Sequence, residues 1–249
     1  MFDNTYLFID FDSTFITCET LEELALVSLK GRSDKDLVIK TIKIITNLGM
    51  EGKIPFEESL KKRMWLLRAT KKDVEETIKF LKKKVTPSIK KNRSFFSTNK
   101  DHIYIISGAF KECVYPVVKT YGILESHVLA NALIFDQKGN IIGADTTNPL
   151  AGKNGKYLAV KALRINETCV VIGDGYTDYQ VKELGAADCF IAFSENVKRE
   201  VVAKKADYIA SNFDEILTYS FISPSETKTP RICTKRDLSI ATDLQSGFS

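Results

Sequence analysis

The sequence predicts an α/β fold: a parallel sheet with a small α-helical insert directly after the first strand. Two observations carry this. From about residue 102 onward, short apolar runs that read as strands alternate with segments of helical spacing, the mark of parallel strands joined by helical crossovers. Between the first apolar run, residues 5–10, and the second, residues 102–106, lies a long stretch whose apolar residues recur mainly at helical intervals. The 249 residues, 44% hydrophobic and 27% charged, are enough for one large domain with such an insert.

Residues 5–10, Thr-Tyr-Leu-Phe-Ile-Asp, form an apolar strand that ends at an aspartate. In the insert, Leu21, Leu24, Ala25 and Leu29 fall at i, i+3, i+4 and i+8. Leu60, Met64 and Leu67 fall at i, i+4 and i+7, as do Val74, Ile78 and Leu81. The stretch Asn47 to Gly52 predicts a break between two of these helices. Residues 102–106 read as a buried strand ending at Ser107-Gly108, followed by a helix over 111–121. Residues 129–135 and 141–145 read as a hairpin around Asp136–Asn140. A helix over 156–165, a strand over 169–172 ending at Gly173-Asp174-Gly175, and a helix over 178–184 closed by Gly185 come next. Strands at 189–192 and 208–210 complete the sheet. The chain thus divides into a core of residues 1–17 and 86–220, an insert of residues 18–85, and a flexible tail over 221–249, where the apolar period is lost.

Composition excludes several classes. No run approaches 18 apolar residues, so no transmembrane helix is expected. The first residues lack a basic region and include Asp3, which argues against a signal peptide. Five widely spaced cysteines without a Cys-x-x-Cys pair fit a reducing, cytoplasmic setting. With only two histidines, a metal here would be held by carboxylates, and hard oxygen ligands suit Mg²⁺. The net charge of +4 is uneven, with a basic excess over residues 51–100. These lysines lack the interleaved aromatics that stack on bases, so they read as a solvated helix face rather than a nucleic-acid patch.

Three strand ends carry polar clusters: Asp10-Phe11-Asp12-Ser13-Thr14, Ser107-Gly108, and Gly173-Asp174-Gly175-Tyr176-Thr177-Asp178. In an open parallel sheet, ligands bind beyond the carboxyl ends of the strands, so the three converge on one crevice. Asp10 and Asp12, two apart, share a strand face and repel each other unless a cation lies between them. With Asp174 and Asp178 they make a Mg²⁺ site. A lysine would balance a bound phosphate, and Ser107 would donate a hydrogen bond to it. Singly, each cluster reads as a turn; together and in this order they read as a site.

With these motifs the sequence resembles the haloacid dehalogenase (HAD)-like phosphatases, and among them the phosphoserine phosphatases, over roughly residues 5–218. The motifs are Asp10-x-Asp12-x-Thr14, Ser107, a lysine at a helix start, and Gly173 to Asp178. Glu19-Thr20 and the insert segment Met50-Glu51-Gly52-Lys53-Ile54-Pro55-Phe56-Glu57-Glu58-Ser59-Leu60-Lys61-Lys62-Arg63 extend the likeness. The resemblance implies a Rossmann-like HAD core with a helical cap, and Mg²⁺-dependent hydrolysis of L-phosphoserine. It implies Asp10 as nucleophile and Asp12 as acid and base. It assigns metal binding to Asp10, Asp12 through its backbone carbonyl, Asp174 and Asp178, and phosphate binding to Ser107, Gly108 and Lys156, with Lys153 as the alternative lysine. The resemblance further implies that Glu19 and Arg63 take the amino and carboxylate groups of the substrate, which matches the chemistry of an ammonium facing a carboxylate and of a guanidinium fork. Alone, Glu19 and Arg63 read as a surface pair. Met50 and Phe56 form an apolar wall. Thr177 stands where the family usually has Asn, and Ala109 where Gly is common, so its methyl is expected to press on the phosphate loop. The expected partner is a small molecule, with no nucleic acid or membrane, and the chain is expected to act as a monomer or homodimer. The alternatives are a phosphatase or phosphotransferase acting on another small phosphate ester, and a non-catalytic metabolite-binding module, which has no use for Asp12.

Overall fold

In the computed structural model, which describes residues 4–221 and 233–235, six strands form one parallel sheet. They are β1 (Thr5–Ile9), β2 (Ile103–Phe110), β3 (Val128–Asn131), β6 (Thr168–Gly173), β7 (Cys189–Phe193) and β8 (Tyr208–Ala210), in the order β3-β2-β1-β6-β7-β8. All five neighbouring pairs are parallel, with Leu7 of β1 aligned to Ile103 on one side and Val170 on the other. The chain leaves β1 toward one edge and returns on the other side of it at β6. Strand order therefore reverses between them, which places a crevice at their carboxyl ends.

Side-chain alternation along each strand builds two cores. Leu7, Ile9, Ile105, Val170, Ile172 and Ile191 face one layer, where Phe96, Val114, Val117 and Phe213 meet them. Phe8, Ile106, Val171 and Phe190 face the other, with Val160, Val181 and Val202. The first layer contains α5 (Pro87–Lys91), α6 (Arg93–Thr98), α7 (Lys111–Val118) and α11 (Phe213–Leu217). The second contains α8 (Gly155–Ala162), α9 (Tyr176–Glu183) and α10 (Glu200–Ala203). Coverage on both faces explains why the strands read as continuous apolar runs.

Between β1 and β2 the chain inserts α1 (Thr20–Ser28), α2 (Lys35–Met50), α3 (Phe56–Leu66) and α4 (Lys71–Leu81). Leu21, Leu24, Leu60, Val74 and Leu81 bury the apolar stripes read from the sequence. Thr70 begins α4 with a reciprocal cap: Asp73 N–H reaches Thr70 Oγ1, and Thr70 N–H reaches the Asp73 carboxylate. The two connections to the core cross antiparallel. Thr17 N–H bonds the Lys84 carbonyl, and Thr86 N–H bonds the Phe15 carbonyl.

The structure corrects four boundaries. Helix α2 runs through Met50, so the break starts at Glu51 rather than Asn47. Gly49 lies inside the helix against Ser59, where a Cβ would fall 2.9 Å from Ser59 Oγ. Strand β2 continues past Ser107-Gly108 to Phe110, because Phe110 pairs with Asn131 of β3 after a shift in register. The expected hairpin is split: Val128–Asn131 joins the main sheet, and only β4 (Leu133–Phe135) pairs with β5 (Ile141–Ala144). The helix expected over 111–121 ends at Val118, and residues 119–121 tighten into a last turn closed by Gly122 at φ +85°. Of the expected tail, Cys233–Lys235 (β10) pairs antiparallel with Tyr219–Phe221 (β9). Residues 222–232 and 236–249 lie outside the described residues.

Candidate active site

After β1 the chain makes a wide turn closed by Phe15 N–H on the Asp10 carbonyl and Ile16 N–H on the Phe11 carbonyl. Ser13 takes φ +55°, a left-handed conformation that costs a non-glycine residue energy. The strain has a use: Ser13 Oγ donates to Glu19 Oε1 at 2.7 Å, and Asp10 and Asp12 both line one small inner cavity.

The three strand-end clusters do converge. Lys156 Nζ donates to Asp10 Oδ1 at 2.6 Å and to Asp178 Oδ1 at 2.7 Å, and the three side chains are almost fully buried. Carboxylate oxygens of Asp10, Asp174 and Asp178 lie within 4.8 Å of one another. Asp12 turns away from this triad and accepts from Thr20 N–H at 3.0 Å and from the Thr20 hydroxyl at 2.5 Å. Ser107 Oγ accepts from Ala109 N–H at 2.9 Å, which leaves its own proton free to donate into the cavity. Ala109 packs in the core and also lines the inner cavity.

Both candidate lysines line an outer cleft of about 310 Å³, but of the two only Lys156 also lines the inner cavity and bonds the carboxylates. That cleft lies between the loop Lys53–Glu57 and the starts of α8 and α9. Phe56 separates it from the inner cavity, with its ring against Gly108; a Cβ there would lie 2.5 Å from Phe56 Cζ. Met50 lines the inner cavity, and Thr177 borders both spaces.

Glu19 and Arg63 are not a surface pair: they are 7% and 4% exposed. Arg63 lines the inner cavity and is held by the Ser59 carbonyl at 3.3 Å and Thr46 Oγ1 at 3.4 Å, leaving guanidinium donors to spare.

Burial sets the electrostatics. It raises Asp10 well above the ordinary carboxylate range; Lys156 opposes this, and the charges of Asp178 and Asp174 add to it. Burial followed by the charge of Glu19 raises Asp12 in the same direction. Asp174 is pushed up to about 7 by burial, against the pull of Arg199. Burial works against the Lys156 ammonium, but Asp10 and Asp178 outweigh it and hold its pKa above that of a free lysine. Asp10 Oδ2 and Asp174 Oδ1 are buried without a hydrogen-bond partner among the described residues, each a cost of about 1–3 kcal/mol. Orphaned oxygens in an all-carboxylate cluster fit a hard divalent cation.

Residues outside the sequence-predicted set complete the site. Arg199 donates from Nε to Asp174 Oδ2 at 2.8 Å and from Nη1 to Asn47 Oδ1 of α2 at 3.0 Å, and its Nη2 lies 3.9 Å from Glu19. The sequence holds a signal for it: Ser194 to Arg199 is a polar cluster after an apolar strand, like the three that read as a site.

A turn bearing two buried aspartates, a lysine, a serine and an acidic cluster at the reversal point of a parallel sheet make up the machinery that phosphoryl transfer calls for. The haloacid dehalogenase-like hydrolase profile matches residues 7–183. A chloroplastic phosphoserine phosphatase of Arabidopsis thaliana is 32% identical over 211 residues, covering 84% of this chain and 69% of that protein. The crystal structure of a phosphoserine phosphohydrolase-like protein from Francisella tularensis aligns with a TM-score of 0.78 at 33% identity, over 86% of this chain and 98% of that one. A phospho-aspartyl intermediate analogue of a phosphoserine phosphatase aligns with a TM-score of 0.68 at 27% identity, over 86% and 96%. The chain belongs to the haloacid dehalogenase-like hydrolases, in their phosphoserine phosphatase family.

Gly173 has no room for a side chain: a Cβ there would fall 2.3 Å from Asp178 Cγ. Gly173→Ala is expected to push Asp178 off Lys156 and lower kcat on the order of 10- to 100-fold. Steady-state kinetics check this, and an unchanged kcat contradicts the placement.

Proposed function

We propose that the chain hydrolyses L-phosphoserine to L-serine and phosphate, with Mg²⁺, through an aspartyl-phosphate on Asp10. The observation that carries the substrate is the buried Glu19 and Arg63 beside Asp12: Glu19 Oε2 has no hydrogen-bond partner among the described residues, and Arg63 lines the inner cavity with donors to spare. An ammonium and a carboxylate on one small molecule satisfy both. The likeness to a phosphoserine phosphatase in its phospho-aspartyl analogue form supports the intermediate.

Asp10 attacks phosphorus through a carboxylate oxygen; Oδ1 is held by Lys156, and Oδ2 has no competing hydrogen bond among the described residues. As the phosphorus–serine oxygen bond breaks, Asp12 gives that oxygen a proton, a role its raised pKa favours. Asp12 then takes a proton from the water that attacks phosphorus, and the bond to Asp10 breaks. Lys156, Ser107 Oγ–H and Gly108 N–H bind the phosphoryl oxygens. Asp10, Asp174, Asp178 and the Asp12 backbone carbonyl would hold Mg²⁺, which would neutralise phosphate charge when bound. Met50 and Phe56 exclude water. The inner cavity, about 10 Å³, is too small for substrate, so the helical insert, residues 18–85, acts as a cap that opens and closes over it. The odd number and wide spacing of the cysteines support a reducing, cytoplasmic setting.

Arg63→Ala tests the substrate. KM for L-phosphoserine is expected to rise about 10- to 100-fold, the value of a charge-assisted contact. Turnover of p-nitrophenyl phosphate, which has neither amine nor carboxylate, should hold. Equal losses on both esters would contradict the reading.

A further inference from the structure

The loop between β7 and α10 holds the places where the insert leaves and re-enters the core. Asn196 Nδ2 lies 3.1 Å from the Ser13 carbonyl oxygen, 3.3 Å from those of Thr14 and Ile16, and 2.7 Å from Thr86 Oγ1. All four are acceptors. The carbonyls have no proton to give, and the Thr86 hydroxyl spends its own on the Thr14 carbonyl at 2.6 Å. This fixes the amide with its nitrogen inward. Glu195, next in line, accepts from the Ser88 N–H and hydroxyl on the re-entry side.

Three of those acceptors belong to the turn that carries Asp10 and Asp12 and to the connection leaving it; the fourth belongs to the returning connection. Ser13 is the strained residue of the turn, and its hydroxyl also holds Glu19. One amide therefore touches the reactive turn and both hinge segments at once.

We propose that Asn196 is a positioning residue that pins the reactive turn and both hinge segments to one point of the core, coupling closure of the insert to the alignment of Asp10 and Asp12. The inference rests on the roles given above to those two aspartates. The isosteric change Asn196→Asp would turn a donor into a carboxylate facing three carbonyls and a hydroxyl oxygen.

The test compares Asn196→Asp and Asn196→Ala with the unaltered full chain. In both variants, kcat on L-phosphoserine is expected to fall, by roughly 100-fold in the Asp variant, with KM changed less than about threefold, because a displaced turn affects the reacting geometry more than substrate capture. Hydrogen exchange at the Thr17 and Thr86 amides, which bridge the two connections, should accelerate without substrate. A lower Tm with kcat retained in the folded variants would make Asn196 merely structural and overturn the proposal. So would unchanged exchange at both amides. If the unaltered chain fails on L-phosphoserine, the substrate reading falls alone. The kcat comparison then runs on p-nitrophenyl phosphate, where the same loss supports the proposal and its absence overturns it. Should the Asp variant not fold, the Ala variant decides between these outcomes.

Discussion

Asp10→Asn will abolish turnover, a loss on the order of 10⁴-fold or more in kcat, and leave the fold in place. The amide has the shape of the carboxylate, so packing is kept. It lacks the negative charge and the nucleophilic oxygen that attack on phosphorus requires. Stability should hold for an electrostatic reason. Asp10 is 2% exposed and raised by burial and by the charges of Asp178 and Asp174, so removing its charge relieves repulsion and offsets the weakened bond to Lys156. Circular dichroism and thermal melting check the fold, and phosphate release checks turnover. A variant keeping most of its activity would refute the nucleophile assignment.

The second large effect separates two lysines three residues apart. Lys156→Ala is expected to lower kcat on the order of 10²- to 10³-fold, while Lys153→Ala should stay within about threefold. Lys156 is the only lysine bonded to Asp10 and Asp178 among the described residues; Lys153 lines the outer cleft. Removing one partner of a buried ion pair destabilises by about 3–5 kcal/mol, so the comparison belongs at saturating Mg²⁺, where the cation takes over part of the lost charge. A near-normal Lys156 variant, or a crippled Lys153 variant, would reverse the assignment.

The contrast between these lysines marks what the sequence makes legible. Gly152-Lys153-Asn154-Gly155-Lys156 offers two lysines, and only the start of the following helix separates them. Asn154 takes a left-handed φ of +56° and Gly155 packs against Pro149 and Leu150, so the helix begins there and carries Lys156 inward. The alternation of apolar strands and helical segments is readable because both faces of the sheet are buried. The three polar clusters are readable because each closes such a strand. Local pattern fails where a partner distant in sequence decides. Strand β2 runs on to Phe110 because Asn131 meets it, and Leu129 parts from Leu133 because β3 joins the main sheet while β4 turns to β5. The polar cluster after β7 marks the place of Arg199 and Asn196, but what they do escapes a local reading for a related reason. Their contacts reach the turn after β1 and the insert, far from either residue in sequence.

The most direct measurement is phosphate release from L-phosphoserine by the full chain, with Mg²⁺ and after chelation by EDTA. Turnover is expected with Mg²⁺, with loss on chelation and recovery when Mg²⁺ is restored, since Asp10 and Asp174, clustered with Asp178, leave buried oxygens without a partner among the described residues that a divalent cation satisfies. No phosphate release with Mg²⁺ present, or full activity after chelation, would contradict it.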